Sequence, residues 1–220
     1  MNQRVIRILI LLLLITIICC GTVATVRPLQ KGKSSFTLSV GGPVGKVSGM
    51  DIPIPYTVFR YRYGLNDKLN IYAGSHLLLI ALGDIGLDGG ISYHLLKQSK
   101  LIPAVGVGLG VYAFSKPGKD IRAFPELELT ASYLAGKRFL TYFGIQSMYQ
   151  FKEKPNLVLA PFIGEEMLIG KNLSVGLELK WYAPFEVTKP RIIDYRIPIS
   201  DHGALGFVLG FNYHLGGWYE

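Results

Sequence analysis

The sequence predicts an all-β chain folded as a single antiparallel, up-and-down transmembrane β-barrel of about ten strands. Three observations predict it. Apolar residues alternate with small or polar ones from residue 35 onward, the connections alternate between tight turns and longer loops, and an export signal precedes the first strand. In 84–95, Ile85, Leu87, Ile91, Tyr93 and Leu95 share one face, and Asp84, Gly86, Asp88, Gly90, Ser92 and His94 share the other. Successive side chains of a strand point to opposite sides, so each such run is a strand with one apolar face.

The same rhythm predicts strands near 35–42, 56–65, 68–79, 84–96, 101–114, 121–134, 138–151, 156–169, 172–185 and 203–215. In 101–114, Leu101, Val105, Val107, Leu109 and Val111 oppose Gly106, Gly108, Gly110 and Tyr112. In 172–185, Leu173, Val175, Leu177, Leu179 and Trp181 oppose Ser174, Gly176, Glu178, Lys180 and Tyr182. Residues 77–82 are apolar throughout, with no turn residue before Gly83, and read equally as a lipid-dipped hairpin or a short helix.

Turns near 64–68, 96–100, 135–137 and 170–172 are short; 42–55, 115–120, 152–156 and 186–202 are longer. In an outer-membrane barrel the short side is periplasmic, and an even strand count leaves both termini there. A soluble barrel of the lipocalin kind is the competing fold. Its outer faces would carry many charges, yet these polar faces are rich in Gly and Tyr, and charged residues are 17% of the chain. Aromatics such as Tyr56, Phe59, Tyr61, Tyr63, Phe139, Tyr142, Phe143, Tyr149 and Phe151 gather toward strand ends, where an interfacial girdle belongs.

Residues 1–24 read as a secretory signal, with Arg4 and Arg7 before an apolar run at 8–18, and Thr22 and Ala24 at the −3 and −1 positions of a cleavage site. Residues 25–220 are then one barrel domain, exported to the bacterial outer membrane. Cys19 and Cys20, the two cysteines of the chain, leave with the signal. Lipidation of Cys20 within Ile17-Ile18-Cys19-Cys20-Gly21 is the competing processing route. Losing Arg4 and Arg7 takes the 23 basic residues to 21 against 15 acidic ones, a net charge of +6. With no Lys/Arg run or basic helix, this excess points to an anionic lipid surface rather than nucleic acid.

With apolar faces toward lipid, the lumen receives Arg60, Arg62, Arg122 and Lys180 against Asp84, Asp88, Glu126, Glu128 and Glu178. One reading is a salt-bridged plug, because an unpaired charge in a narrow lumen is costly. The other is a constriction, with Arg60 and Arg62 facing Glu126 and Glu128 across a narrow passive channel for small solutes. Gly106, Gly108 and Gly110 either leave a path or make room for Tyr72, Tyr112 and Tyr182.

Catalysis is disfavoured. Asp88 and His94 share a face with Ser92 but lie about 20 Å apart along a strand. His76 has Asp84 across a hairpin, while Ser75 points away. No catalytic, cofactor or metal motif stands in the sequence, so an outer-membrane lipid hydrolase or protease is the least favoured class. The 186–202 loop sets Lys189, Arg191 and Arg196 among isoleucines, a surface suited to lipopolysaccharide phosphates or a protein partner.

The signal, the alternating strands and the last strand together resemble the small Gram-negative outer-membrane β-barrel proteins, the group of OmpA-like and OmpW-like barrels. The resemblance is architectural and spans the chain. It implies recognition by the barrel assembly machinery through the last strand, where Gly206, Leu209 and Phe211, or Gly210, Tyr213 and Leu215, hold the spacing. The sequence runs on through Gly216-Gly217-Trp218-Tyr219-Glu220, where such proteins often stop at an aromatic residue.

Overall fold

The computed structural model describes residues 23–47, 50–53, 56–115, 118, 121–151, 156–187, 194–195 and 202–217. Among them are twelve strands and one short helix: β1 Ser34–Val47, β2 Met50–Pro53, β3 Tyr56–Gly64, β4 Leu69–His76, α1 Leu77–Ala81, β5 Ile85–Leu96, β6 Ala104–Ser115, β7 Arg122–Ala135, β8 Phe139–Gln150, β9 Asn156–Leu168, β10 Leu173–Val187, β11 Asp194–Tyr195 and β12 His202–Leu215. Ten of these strands make the barrel, each antiparallel to its neighbours in chain order. The ring closes because β1 pairs on one side with β12 and on the other with β3, so that Leu38 lies between Phe211 and Phe59. Closure leaves no ladder edge open, which is the condition for strands to stand in lipid.

All ten expected strands are present, several with shifted ends. The first runs on to Val47, and beyond the ring its last residues pair with β2 and β11. Tyr195 pairs there with Gly45 of β1. The third, β4, stops at His76, and the apolar run after it is the short helix α1. Leu82 donates to the Leu78 carbonyl at 3.0 Å and Gly83 to that of Ile80 at 3.0 Å. Gly83, at φ +84°, ends the helix in the left-handed conformation that favours glycine. Residues 1–22, Cys19 and Cys20 among them, fall outside the described residues. So do most of the long-loop positions, Lys189, Arg191 and Arg196 included.

The faces sort as the alternation requires. Leu38, Phe59, Ile71, Leu87, Leu109, Leu127, Phe143, Ile163, Leu177 and Phe207, one from each barrel strand, stand exposed on the outside. Ser35, Arg60, Asn70, Asp88, Glu128, Gln146, Glu166, Glu178 and Asn212 are buried inside. A water-soluble barrel is built the other way round, and an outer face this rich in apolar residues, interrupted by Glu165 opposite Leu177, is stable against hydrocarbon. Most of the expected girdle residues (Tyr56, Phe59, Tyr61, Phe139, Phe143, Tyr149, Phe151) are exposed. Tyr142 corrects the expectation: one position before Phe143, it points inward and is fully buried.

Leu109 and Leu177 are 53% and 56% exposed on the outer faces of β6 and β10. Replacing either with Arg sets a charge on the lipid face, at a cost of about 2–4 kcal/mol near the midplane. Each variant is expected to lose the heat-modifiable gel mobility of a folded barrel; normal mobility from both would reverse the assignment of faces.

Candidate functional site

The lumen is the candidate site, and its side chains meet in tiers set by strand register. Toward the long-loop end, Arg60, Gly74 and Asp88 form one row across β3, β4 and β5. A Cβ on Gly74 would lie 2.2 Å from Asp88 Oδ1, so the glycine lets the outer two residues meet across the strand between them. Arg60 Nη2 is 2.6 Å from Asp88 Oδ2, and its Nε donates to the same oxygen at 2.8 Å. The guanidinium also lies 4.5 Å above the Tyr72 ring. His76 Nε2 approaches Asp88 Oδ1 at 3.5 Å, with its ring edge-on to Tyr112 and Phe114.

A second row carries Tyr72 over the glycines beside it. Register sets Tyr72 opposite Gly90, Gly90 opposite Gly110, and Gly110 opposite Glu126. A Cβ on Gly90 or Gly110 would come within 2.7 or 2.3 Å of the Tyr72 hydroxyl, and one on Gly106 within 2.9 Å of Thr130 Oγ1. These glycines make room for neighbouring side chains.

The next tier crosses the barrel from β7 to β10. Gln146 Nε2 donates to Glu126 Oε1 and, at 3.1 Å, to the Tyr112 hydroxyl. Lys180 Nζ donates to Gln146 Oε1 at 3.0 Å and pairs with Glu178 Oε1 at 3.0 Å, 5.2 Å from the Phe162 ring centre. A neutral amide thus links an acid on one wall to an ion pair on the other.

Nearer the short-turn end the lumen holds a strap, residues 23–29, which sequence periodicity did not reveal. Ala24 N donates to Glu178 Oε2 at 3.0 Å, Thr25 N to Glu128 Oε1 at 3.2 Å and Leu29 N to Asn70 Oδ1 at 2.9 Å. His94 Nε2 donates to the Val26 carbonyl at 3.1 Å and Arg62 Nη2 to that of Arg27 at 2.5 Å. The Arg27 side chain reaches Ser132 Oγ at 3.2 Å and also Gln98. Val23, Ala24 and Val26 pack against an apolar pad of Leu140, Tyr142, Phe162 and Val208. Below the strap a vestibule of about 930 Å³ opens, with Arg27, Lys31, Lys97 and Lys100 among its lining.

Some expected lumen residues lie elsewhere. Arg122 is exposed at the first position of β7, beside Phe114 at the rim. Asp84 is half-buried in the turn after α1, outside any strand. Arg60 faces Asp88 rather than Glu126 or Glu128, and His76 meets Asp88 rather than Asp84.

A Ser–His–Glu cluster, also missed, lies low on the opposite wall. Ser174 Oγ donates to Glu166 Oε1 at 2.5 Å and lies 2.9 Å from His214 Nε2, which is itself 3.7 Å from that oxygen. Asn212 Nδ2 donates to Glu166 Oε1 at 2.6 Å, and Thr37 Oγ1 to Asn212 Oδ1 at 2.6 Å. In a nucleophile relay the acid holds the ring nitrogen remote from the serine. Here both groups meet Nε2, in a spot where Ser174 and His214 have no exposed surface. The cluster ties β1, β9, β10 and β12 together. Its signal in the sequence was five polar inward positions, Thr37, Glu166, Ser174, Asn212 and His214, on strands that register brings side by side.

A closed, lipid-skinned ring with a polar, paired interior defines an integral outer-membrane β-barrel protein. No protein-family model matches the chain, and no curated protein matches it by sequence. Solved structures similar to it include the translocator domain of the autotransporter NalP from Neisseria meningitidis, at 7% identity and TM-score 0.44 over 84% of this chain and 89% of that one. The outer-membrane protease OmpT from Escherichia coli is similar at 14% identity and TM-score 0.38, over 84% and 94%. The outer-membrane protein OprG from Pseudomonas aeruginosa is similar at 11% and 0.35, over 86% and 99%. These likenesses reach no further than the barrel form already read from strand pairing.

Asp88→Ala strands the buried Arg60 charge, a loss of about 3–5 kcal/mol for a broken buried pair. Replacing both, as Arg60→Met/Asp88→Leu, is expected to cost far less. Urea unfolding of the detergent-solubilised barrel, followed by loss of gel mobility, checks the order; equal losses would mean that the pair is not the linkage holding this tier.

Proposed function

We propose that the protein is a non-enzymatic outer-membrane barrel with an occluded lumen, working through its outward surface and loops rather than by passing solutes. The observation that carries this reading is the filling of the lumen. The Arg60–Asp88 tier, the Glu126–Gln146–Lys180–Glu178 crossing and the strap follow one another along the barrel, and Tyr72 and Thr130 occupy the space that Gly90, Gly106 and Gly110 leave. A ring of about ten strands encloses little space once its side chains are in place. Here that space also takes a length of backbone.

The loops then provide the working surface. Lys189, Arg191 and Arg196 suit the phosphates of lipopolysaccharide, and β2 and β11 on the extended end of β1 prolong the sheet beyond the ring. A narrow passive channel is the alternative use of the same barrel.

Conductance of the purified, folded protein in a planar bilayer separates the two. Silence is expected, together with lipopolysaccharide retained through mild detergent and lost in a Lys189→Ala/Arg191→Ala/Arg196→Ala variant of normal gel mobility. Steady, reproducible current steps from the wild type would refute the occluded lumen; unchanged lipopolysaccharide in the variant would remove the loop from the reading.

A further inference from the structure

We propose that cleavage after Ala24 turns the backbone nitrogen of Thr25 into a buried α-ammonium, held inside the lumen as the counter-charge of Glu128 and Glu178. Two independent observations meet on one atom. The small residues Thr22 and Ala24, at the −3 and −1 positions, are the sequence pattern for a scissile bond between Ala24 and Thr25. The fold places that same nitrogen 3.2 Å from Glu128 Oε1, with Ala24 N, one residue away, 3.0 Å from Glu178 Oε2.

The electrostatics ask for such a group. Glu128 is 7% exposed, and among the described residues its one hydrogen bond comes from Thr25 N. A neutral amide is weak compensation for a buried carboxylate, whereas a cation with several donors is strong. The nearby cations bond other groups, Arg60 to Asp88, Arg62 to the Arg27 carbonyl, and Lys180 to Glu178 and Gln146, and Lys180 and Arg60 reach Glu128 through their field rather than by a hydrogen bond.

The chemistry balances as a peptide hydrolysis by a signal peptidase. The Ala24–Thr25 C–N bond breaks, and water gives its hydroxyl to the Ala24 carbonyl carbon and a proton to the Thr25 nitrogen. The new amine takes one more proton from solvent and becomes the ammonium. Glu178 Oε2 loses its bond from Ala24 N in the same step, one residue from the new terminus. Val23 and Ala24 leave the apolar pad, and Val26 stays on it. The lumen thus carries a receptor of two carboxylates for the amino terminus of its own chain, a seat that exists only after export. The proposal goes beyond the functional reading: a conducting barrel would refute that reading and leave this one standing.

The test uses the full-length protein, exported and purified from outer membranes. Intact mass is expected to show a chain that starts at Thr25; a start elsewhere, or at a lipidated Cys20, overturns the proposal. An α-amine titrates near 8 and a lysine near 10.4, so at neutral pH a water-soluble amine-reactive ester favours the terminus. Acylation at Thr25 is expected to run at least about tenfold slower in the folded barrel than after heating in SDS, a factor equal to about one pKa unit. Equal rates in the folded and unfolded protein overturn the proposal. Glu128→Gln/Glu178→Gln, or Glu128→Gln alone should the double variant not fold, is expected to restore fast acylation at normal gel mobility. Full protection in that variant assigns the shielding to burial alone and sinks the carboxylate receptor.

Discussion

Charge burial in a confined space is the constraint on which the rest of this structure depends. Once strands close into a small ring and turn their apolar faces to lipid, every inward ionic group shares a narrow, poorly hydrated interior. Such a group must be paired or hydrogen-bonded, or it destabilises the fold. The lumen meets this demand by three different means. Arg60 and Asp88 meet directly, Gln146 bridges Glu126 to Lys180, and the strap brings the Thr25 nitrogen to Glu128.

Glycine makes the first of these means workable. Arg60 and Asp88 sit two strands apart, and only a missing side chain at Gly74 lets them touch. Tyr72 uses Gly90 and Gly110 in the same manner to lie flat along the wall. The glycines that thin the β5–β6 wall are therefore part of its packing. A wall of larger residues would hold the ionic groups apart and leave each with its desolvation cost.

The ring was legible because alternation with period two is a local property of the sequence. Which faces meet lipid followed directly, since Leu87 and Asp88, or Leu177 and Glu178, are adjacent and opposite in character. The partners inside the lumen were not legible. Arg60 and Arg62 share the inner face of one strand, yet one binds Asp88 two strands away and the other the carbonyl of Arg27 on the strap, partners that no local pattern names. Tyr142 read as an interfacial aromatic although its position beside Phe143 already assigned it to the inner face. The strap was invisible for a plainer reason. Residues 23–29 have no strand rhythm, and their character comes entirely from what the lumen offers them.

The central claim is that this segment fills the lumen of the folded barrel, and Val26, 3% exposed between the apolar pad and His94, is its best reporter. The decisive measurement is maleimide labelling of a Val26→Cys variant, read by peptide mass so that the thiol at position 26 is followed alone. A seated strap leaves that thiol unreactive in the folded barrel and fully reactive after heating in SDS. Rapid labelling in the folded protein, at the rate of the unfolded chain, would contradict the account.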